Sequence, residues 1–214
     1  MSHAFPIYTK GELIADGALH VIGVAASLIA AVTLTLLAVG VLPPHATASV
    51  LIYGLGLLAV FICSAAYHLV RRPRLKALLR RFDHAAIYVK IAATYTPFAA
   101  VKMGGLAGLG LLGAVWVIAA IGVFTRLLLP GQFVRTAYVL YLAQGWACLA
   151  ALKPMIEAVP ATAMALLLVG GILYTAGVAF HLWERLPYHN AIWHAFVLAA
   201  SACHFAAVLD AVVL

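Results

Sequence analysis

"PYHNAIWHAFVL", residues 187–198, places His189 and His194 at the mouth of an apolar run that continues to residue 212. An imidazole facing lipid is costly, so this stretch can be read only once the chain's solvent and its other polar residues are known. Composition settles the solvent. Of 214 residues, 66% are hydrophobic and 9% charged, and the mean hydropathy is +1.11. A soluble domain of this length buries too little of its surface to hide that much apolar material. The solvent is lipid, and the expected fold is an all-α polytopic membrane protein.

A helix crossing the hydrocarbon layer needs about 20 mostly apolar residues. Runs of that kind fall at 18–41, 48–70, 84–101, 106–126, 136–153, 160–182 and 190–212, which predicts seven transmembrane helices in a single domain over residues 1–214. No internal repeat is evident. The opening MSHAFPIYTKGELIADG is too polar for a secretory signal, so the first helix is expected to act as its own uncleaved membrane signal. Cys63, Cys148 and Cys203 lie in separate apolar runs without paired spacing and read as small apolar residues.

Orientation follows from lysine and arginine in the short loops. One side holds Lys10, Arg71, Arg72, Arg74, Lys76, Arg80, Arg81, Arg126, Arg135 and Arg185; the other holds Lys102 and Lys153. This asymmetry predicts a cytoplasmic N-terminus and an outer C-terminus. The same rule accounts for the formal net charge of +7 without nucleic acid as a partner. It reads RRPRLKALLRR (71–81) as a cytoplasmic loop beside anionic lipid headgroups. Membrane lipids are the expected partners.

The remaining ionisable residues gather at one depth. Glu12, Asp16 and His20 follow one another at steps of four, which keeps them on one helix face. Ser64 and His68 are also four apart, Asp83 opens the third span, and His189, Asn190 and His194 open the seventh. With alternating helix directions, all of them lie toward the basic end. Each also has a plainer reading. Glu12 and Asp16 suit an interfacial helix N-terminus, Ser64 suits a bond to its own backbone, and Asp83 suits a helix cap. His189 is expected at a loop edge. His204, about 15 Å further along its helix than His194, is expected to make a packing hydrogen bond; His3, His45 and His181 carry no pattern.

Neutral imidazoles beside a carboxylate and a hydroxyl suit zinc in its catalytic form, with three protein donors and one position left for water. In that reading His68, His194 and His189 are the candidate metal residues. Asp83 holds the water and carries its proton, and Ser64 steadies Asp83 or the developing oxyanion. Beside the inner leaflet, the substrate would be a lipid amide or ester. A non-enzymatic sensor of membrane state and a proton or ion pathway use the same residue types. Lys90 lies on the same face as Asp83, about 10 Å along the helix. It is expected to snorkel or to be paired internally.

Four stretches carry a family likeness: ELIADGALH (12–20), SAAYH (64–68), RFDHAAIYVKIAATYTPF (81–98) and RLPYHNAIWHAFVLAASACHF (185–205). Together they resemble the bacterial hemolysin III branch of the PAQR family, which includes the adiponectin and progestin receptors. The likeness runs from residue 12 to about 205. It implies a seven-helix bundle in the bacterial inner membrane with zinc near the cytoplasmic side and lipid-amide hydrolase activity. It also implies His68 as the second-helix ligand and Asp83 as the aspartate that positions the water. Asp16 stands where the family usually has asparagine. Asn190 stands four residues before His194, where the receptors have histidine, and His189 is one step away, rotated by about 100°. A distorted first helical turn would let His189 reach the metal; otherwise Asp83 or His20 supplies the third ligand.

Overall fold

The first helix starts earlier than hydropathy suggests because Thr9 and Glu12 form a capping box. The Thr9 side chain accepts from the Glu12 N–H, and Glu12 accepts from the Thr9 N–H at 2.8 Å. These contacts satisfy the free donors of the first turn, so α1 runs Lys10–Ala38 instead of beginning at residue 18. The computed structural model describes residues 8–129 and 134–214. His3 and the side chain of Arg135 lie outside the described residues.

The α2 helix (Pro44–Leu69) leads through a tight link into α3 (Pro73–Pro97). Here the structure corrects the reading of RRPRLKALLRR: most of the run is the first turns of α3, not a loop. Pro73 sits at a helix start, where its missing N–H costs nothing, and the Leu, Ala, Lys and Arg that follow are strong helix formers. Charge suggests a break here, but propensity keeps the helix going. At its far end α3 passes through Pro97 into a wide π-turn, Phe98–Met103, and Gly104 and Gly105 turn the chain with φ of +57° and +54°. These are angles that glycine adopts without steric cost.

The α4 helix (Gly105–Leu128) is followed by α5 (Val134–Gly145), a short 3₁₀ segment (Ala147–Ala151) and α6 (Leu152–Ala158). The fifth run, expected to be continuous, is therefore broken. Tyr95 repairs the break: its hydroxyl donates to the Gly145 carbonyl at 2.5 Å and accepts from the Cys148 N–H at 3.1 Å. Unpaired backbone groups at membrane depth persist only where neighbouring helices satisfy them in this way. The chain ends with α7 (Ala161–Leu182) and α8 (His189–Val208), the latter closing in a π-turn.

Among the described residues, six segments are long and apolar enough to cross a membrane: α1, α2, α4, the α5–α6 unit, α7 and α8 with its π-turn. α3 is as long but carries Arg74, Lys76, Arg80, Arg81, Asp83 and Lys90; it packs between α2 and α4. The bundle is apolar outside, and its buried polar residues are set within a mostly apolar core. Ile14 and Leu36 on α1 are each 72% exposed, whereas Asp16, His20, Asp83, Lys90, Gln144 and His194 are buried. That inversion is what a lipid solvent requires. Small residues let the helices close up. Gly56 lies against Ala93 between α2 and α3, and Gly122 lies against the Tyr88 ring between α3 and α4. The α1 helix also packs along α8, bringing the chain's first and last helices together at the basic end.

Candidate metal centre

Asp16 and His20, four residues apart on α1, turn one face toward α2 and α8. The Asp16 carboxylate bridges three imidazoles. Its Oδ1 lies 2.6 Å from His194 Nδ1, and its Oδ2 lies 3.0 Å from His68 Nδ1 and 3.5 Å from His20 Nε2. The rings form a near-equilateral triangle with centroids 4.7 Å (His20–His68), 4.3 Å (His20–His194) and 4.6 Å (His68–His194) apart. One donor atom from each of the four residues falls within 4.8 Å of all the others. Asp16, His20 and His194 are buried and His68 is half-buried.

This donor set fits a metal ion. Three imidazoles and one carboxylate are nitrogen and oxygen donors suited to a first-row divalent metal. His20 Nε2 is buried and, among the described residues, has no well-formed hydrogen bond, the 3.5 Å approach of Asp16 being at the limit of that distance. A buried polar atom left in this way calls for a partner. Asp16 has two possible roles. It can be a direct donor, giving four protein donors. Alternatively, it can accept Nδ1–H bonds from His68 and His194, which fixes their tautomers and leaves each Nε2 lone pair as the donor.

Asp83 and Ser64 stand beside the triangle. Both are buried, the Ser64 hydroxyl lies near the Asp83 carboxyl group, and both line a cavity of about 1470 Å³ with His20, His68 and His194. Past this polar end the cavity is largely apolar, walled by residues such as Phe61, Ile87, Tyr95, Met155 and Val197. On the side where α5–α6 faces α7, lining residues Leu149, Ile156 and Leu168 are more than half exposed.

The other residues singled out in the sequence do not join the triangle. His189 is buried at the mouth, its ring 6.0 Å from Tyr8 and 6.5 Å from His181, and its Nδ1 has no hydrogen-bond partner. His20 occupies the place for which the sequence offered His189. The reason lies in the start of α8. Tyr188 adopts left-handed backbone angles (φ 60°), and its N–H donates to Glu12 Oε1 at 3.0 Å, which fixes the first turn against α1. Asn190 donates to the Tyr8 hydroxyl at 2.7 Å, tying the segment before α1 to α8. Glu12 and Asn190 thus fasten helices together. Sequence reasoning missed the part played by Tyr8; a lone tyrosine before a capped helix carries no signal for it.

Fold and site together define a helical, multi-pass membrane protein with a buried carboxylate–imidazole cluster of the kind that holds a metal ion. The family model described as "Haemolysin-III related" matches residues 12–205. Hemolysin-3 of Bacillus cereus is 37% identical over 202 residues, covering 92% of this chain and 90% of that protein. The Hemolysin-3 homolog of Bacillus subtilis is 36% identical, covering 95% of each. The human monocyte to macrophage differentiation factor is 30% identical over 73% of this chain and 67% of its own length. No solved structure matches. The chain belongs to the haemolysin III-related family, within the hemolysin III branch of the PAQR proteins.

Proposed function

We propose that this protein is a zinc-dependent hydrolase of lipid amides or esters. In this reading it lies in the bacterial inner membrane with seven spans, α3 included, and a cytoplasmic N-terminus. The observation that carries the reading is that the His20–His68–His194 triangle lines the same cavity as Asp83 and Ser64. The ten-to-two distribution of lysines and arginines between the two ends of the bundle supports the orientation, and in that orientation the centre would lie near the inner leaflet. A lipid chain would enter beside Leu149, Ile156 and Leu168 without crossing water.

The three imidazoles would hold the zinc, with Asp16 fixing His68 and His194 through their Nδ1 atoms. Bound zinc supplies Lewis acidity and makes hydroxide available near neutral pH. Asp83 holds the attacking water, accepts its proton and returns it to the leaving amine or alcohol. Ser64, beside Asp83 in the cavity lining, would steady that carboxyl.

A second reading has one observation in its favour. If Asp16 is itself a donor, four protein groups close a tetrahedral zinc and leave no position for water, as in structural sites. The protein would then bind lipid and metal as a sensor of membrane state without turnover. Two measurements on detergent-purified protein separate the readings. Elemental mass spectrometry should find stoichiometric zinc in wild type and lose it in His68→Ala and His194→Ala. Asp83→Asn should keep the metal yet lower hydrolysis of a long-chain N-acyl amide by about 10²–10⁴-fold. Stoichiometric metal without wild-type turnover of amides or esters would leave the sensor reading in place, and absence of metal from folded wild type would overturn both.

A further inference from the structure

Lys90 sits midway along α3, seven residues past Asp83 and therefore about 10 Å deeper in the bundle. At 4% exposure it does not snorkel to an interface. Its Nζ lies 3.4 Å from His204 Nδ1 on α8 and 4.3 Å from the centroid of the Tyr174 ring on α7. A lysine ammonium only donates, so His204 Nδ1 is the acceptor in this contact. The Tyr174 hydroxyl is paired with Ser201 Oγ at 2.7 Å. Every neighbour of this amine is neutral, and among the described residues no carboxylate lies within ion-pair distance of it.

A buried ammonium without a counter-charge is one of the least favourable arrangements in a membrane interior. His204 takes one of its three N–H donors, leaving two. Lys90 and His204 both line the 1470 Å³ cavity, beside Ile91, Thr94 and Phe98. That cavity is larger than the roughly 300–1,000 Å³ usual for small-molecule sites, and its walls around Lys90 are largely apolar. It offers one cationic point within a long greasy chamber.

We propose that Lys90 is an anion-binding subsite holding the carboxylate of a single-chain lipid acid, whose tail occupies the apolar remainder of the cavity. The two free N–H donors match the two carboxylate oxygens. A two-chain phospholipid would have to carry its glycerol and a second tail to the same depth. The subsite is separate from the metal centre, and its occupancy requires neither metal nor turnover.

The test is binding of cis-parinaric acid to the full-length protein in detergent, competed with oleic acid or with oleyl alcohol. Oleate should displace the probe from wild type at least about tenfold more effectively than the alcohol, a difference of about 1.4 kcal/mol. Stripping metal with EDTA should leave that preference intact. Lys90→Met should abolish it while unfolding at the same temperature as wild type or higher, because a buried charge has been replaced by an apolar group of similar length; Lys90→Arg should retain it. Equal displacement by acid and alcohol in wild type overturns the proposal without any variant. So does a preference that survives in Lys90→Met or disappears with EDTA, the latter placing the carboxylate at the histidine triangle. Failure of hydrolysis, in contrast, leaves all these expectations unchanged.

Discussion

Asp16 Oδ1 and His194 Nδ1 meet at 2.6 Å, joining the first helix to the last through a buried contact between residues 178 positions apart. The carboxylate that makes this bond also reaches His68 at 3.0 Å, so one side chain sets the orientation of two imidazoles. Asp16→Asn keeps the shape but removes the charge and one acceptor. We expect metal affinity to fall by about 10–100-fold, as when other carboxylates that orient metal-binding histidines are lost. Competition with a chelating dye measures it; unchanged affinity would remove Asp16 from the centre.

Of the residues offered for the third donor, His20 lies in the cluster and His189 lies outside it. His20→Ala should release most of the metal from the purified protein, whereas His189→Ala should retain wild-type stoichiometry, since the His189 ring lies among Tyr8 and His181 at the mouth. Metal content of the two variants decides this. The reverse result would mean that the first turn of α8 rearranges when metal binds.

The residues of the centre were legible one helix at a time. Asp16 with His20, and Ser64 with His68, stand four apart, which fixes a shared face without any knowledge of neighbours. What spacing could not supply was the rotation of α8 relative to α1. That rotation depends on Tyr188 in left-handed geometry and on its N–H bond to Glu12, 176 residues away. The early start of α1 was written in Thr9-x-x-Glu12 but was masked by polarity. Likewise, the first turns of α3 were hidden because arginine and lysine mark loops by charge while favouring helix by propensity. The break between α5 and α6 had no such local sign. It is tolerated because Tyr95, on another helix, satisfies the interrupted backbone.

Tyr8→Phe removes the hydroxyl that accepts from Asn190 at 2.7 Å. A single hydrogen bond of this kind contributes about 0.5–1.5 kcal/mol. The variant should therefore unfold slightly earlier in a thermal melt in detergent while its metal content stays at the wild-type level. A loss of metal as large as that of His194→Ala would show that this link holds the centre itself together.

Gly122→Val tests how closely α3 and α4 approach. Any side chain at this position runs into the Tyr88 ring, which is fully buried. Overpacking of this sort costs about 1–3 kcal/mol, and thermal unfolding of the variant should register it. An unchanged melting temperature would mean that the two helices separate more readily than their packing indicates.

The bond between Asp16 and His194 also has a consequence in time. The ribosome makes α1 first and α8 last, and at about 5–20 residues per second the intervening stretch takes roughly 10–35 s to synthesise. Throughout that interval Asp16 and His20 are already in or at the bilayer without the group that completes their cluster. A chain cut short between residues 68 and 194 keeps its carboxylate beside His20 and His68 but lacks the 2.6 Å partner on α8. The last helix thus acts as a seal on a finished molecule, and the incomplete pairing of that carboxylate distinguishes an unfinished copy from a complete one.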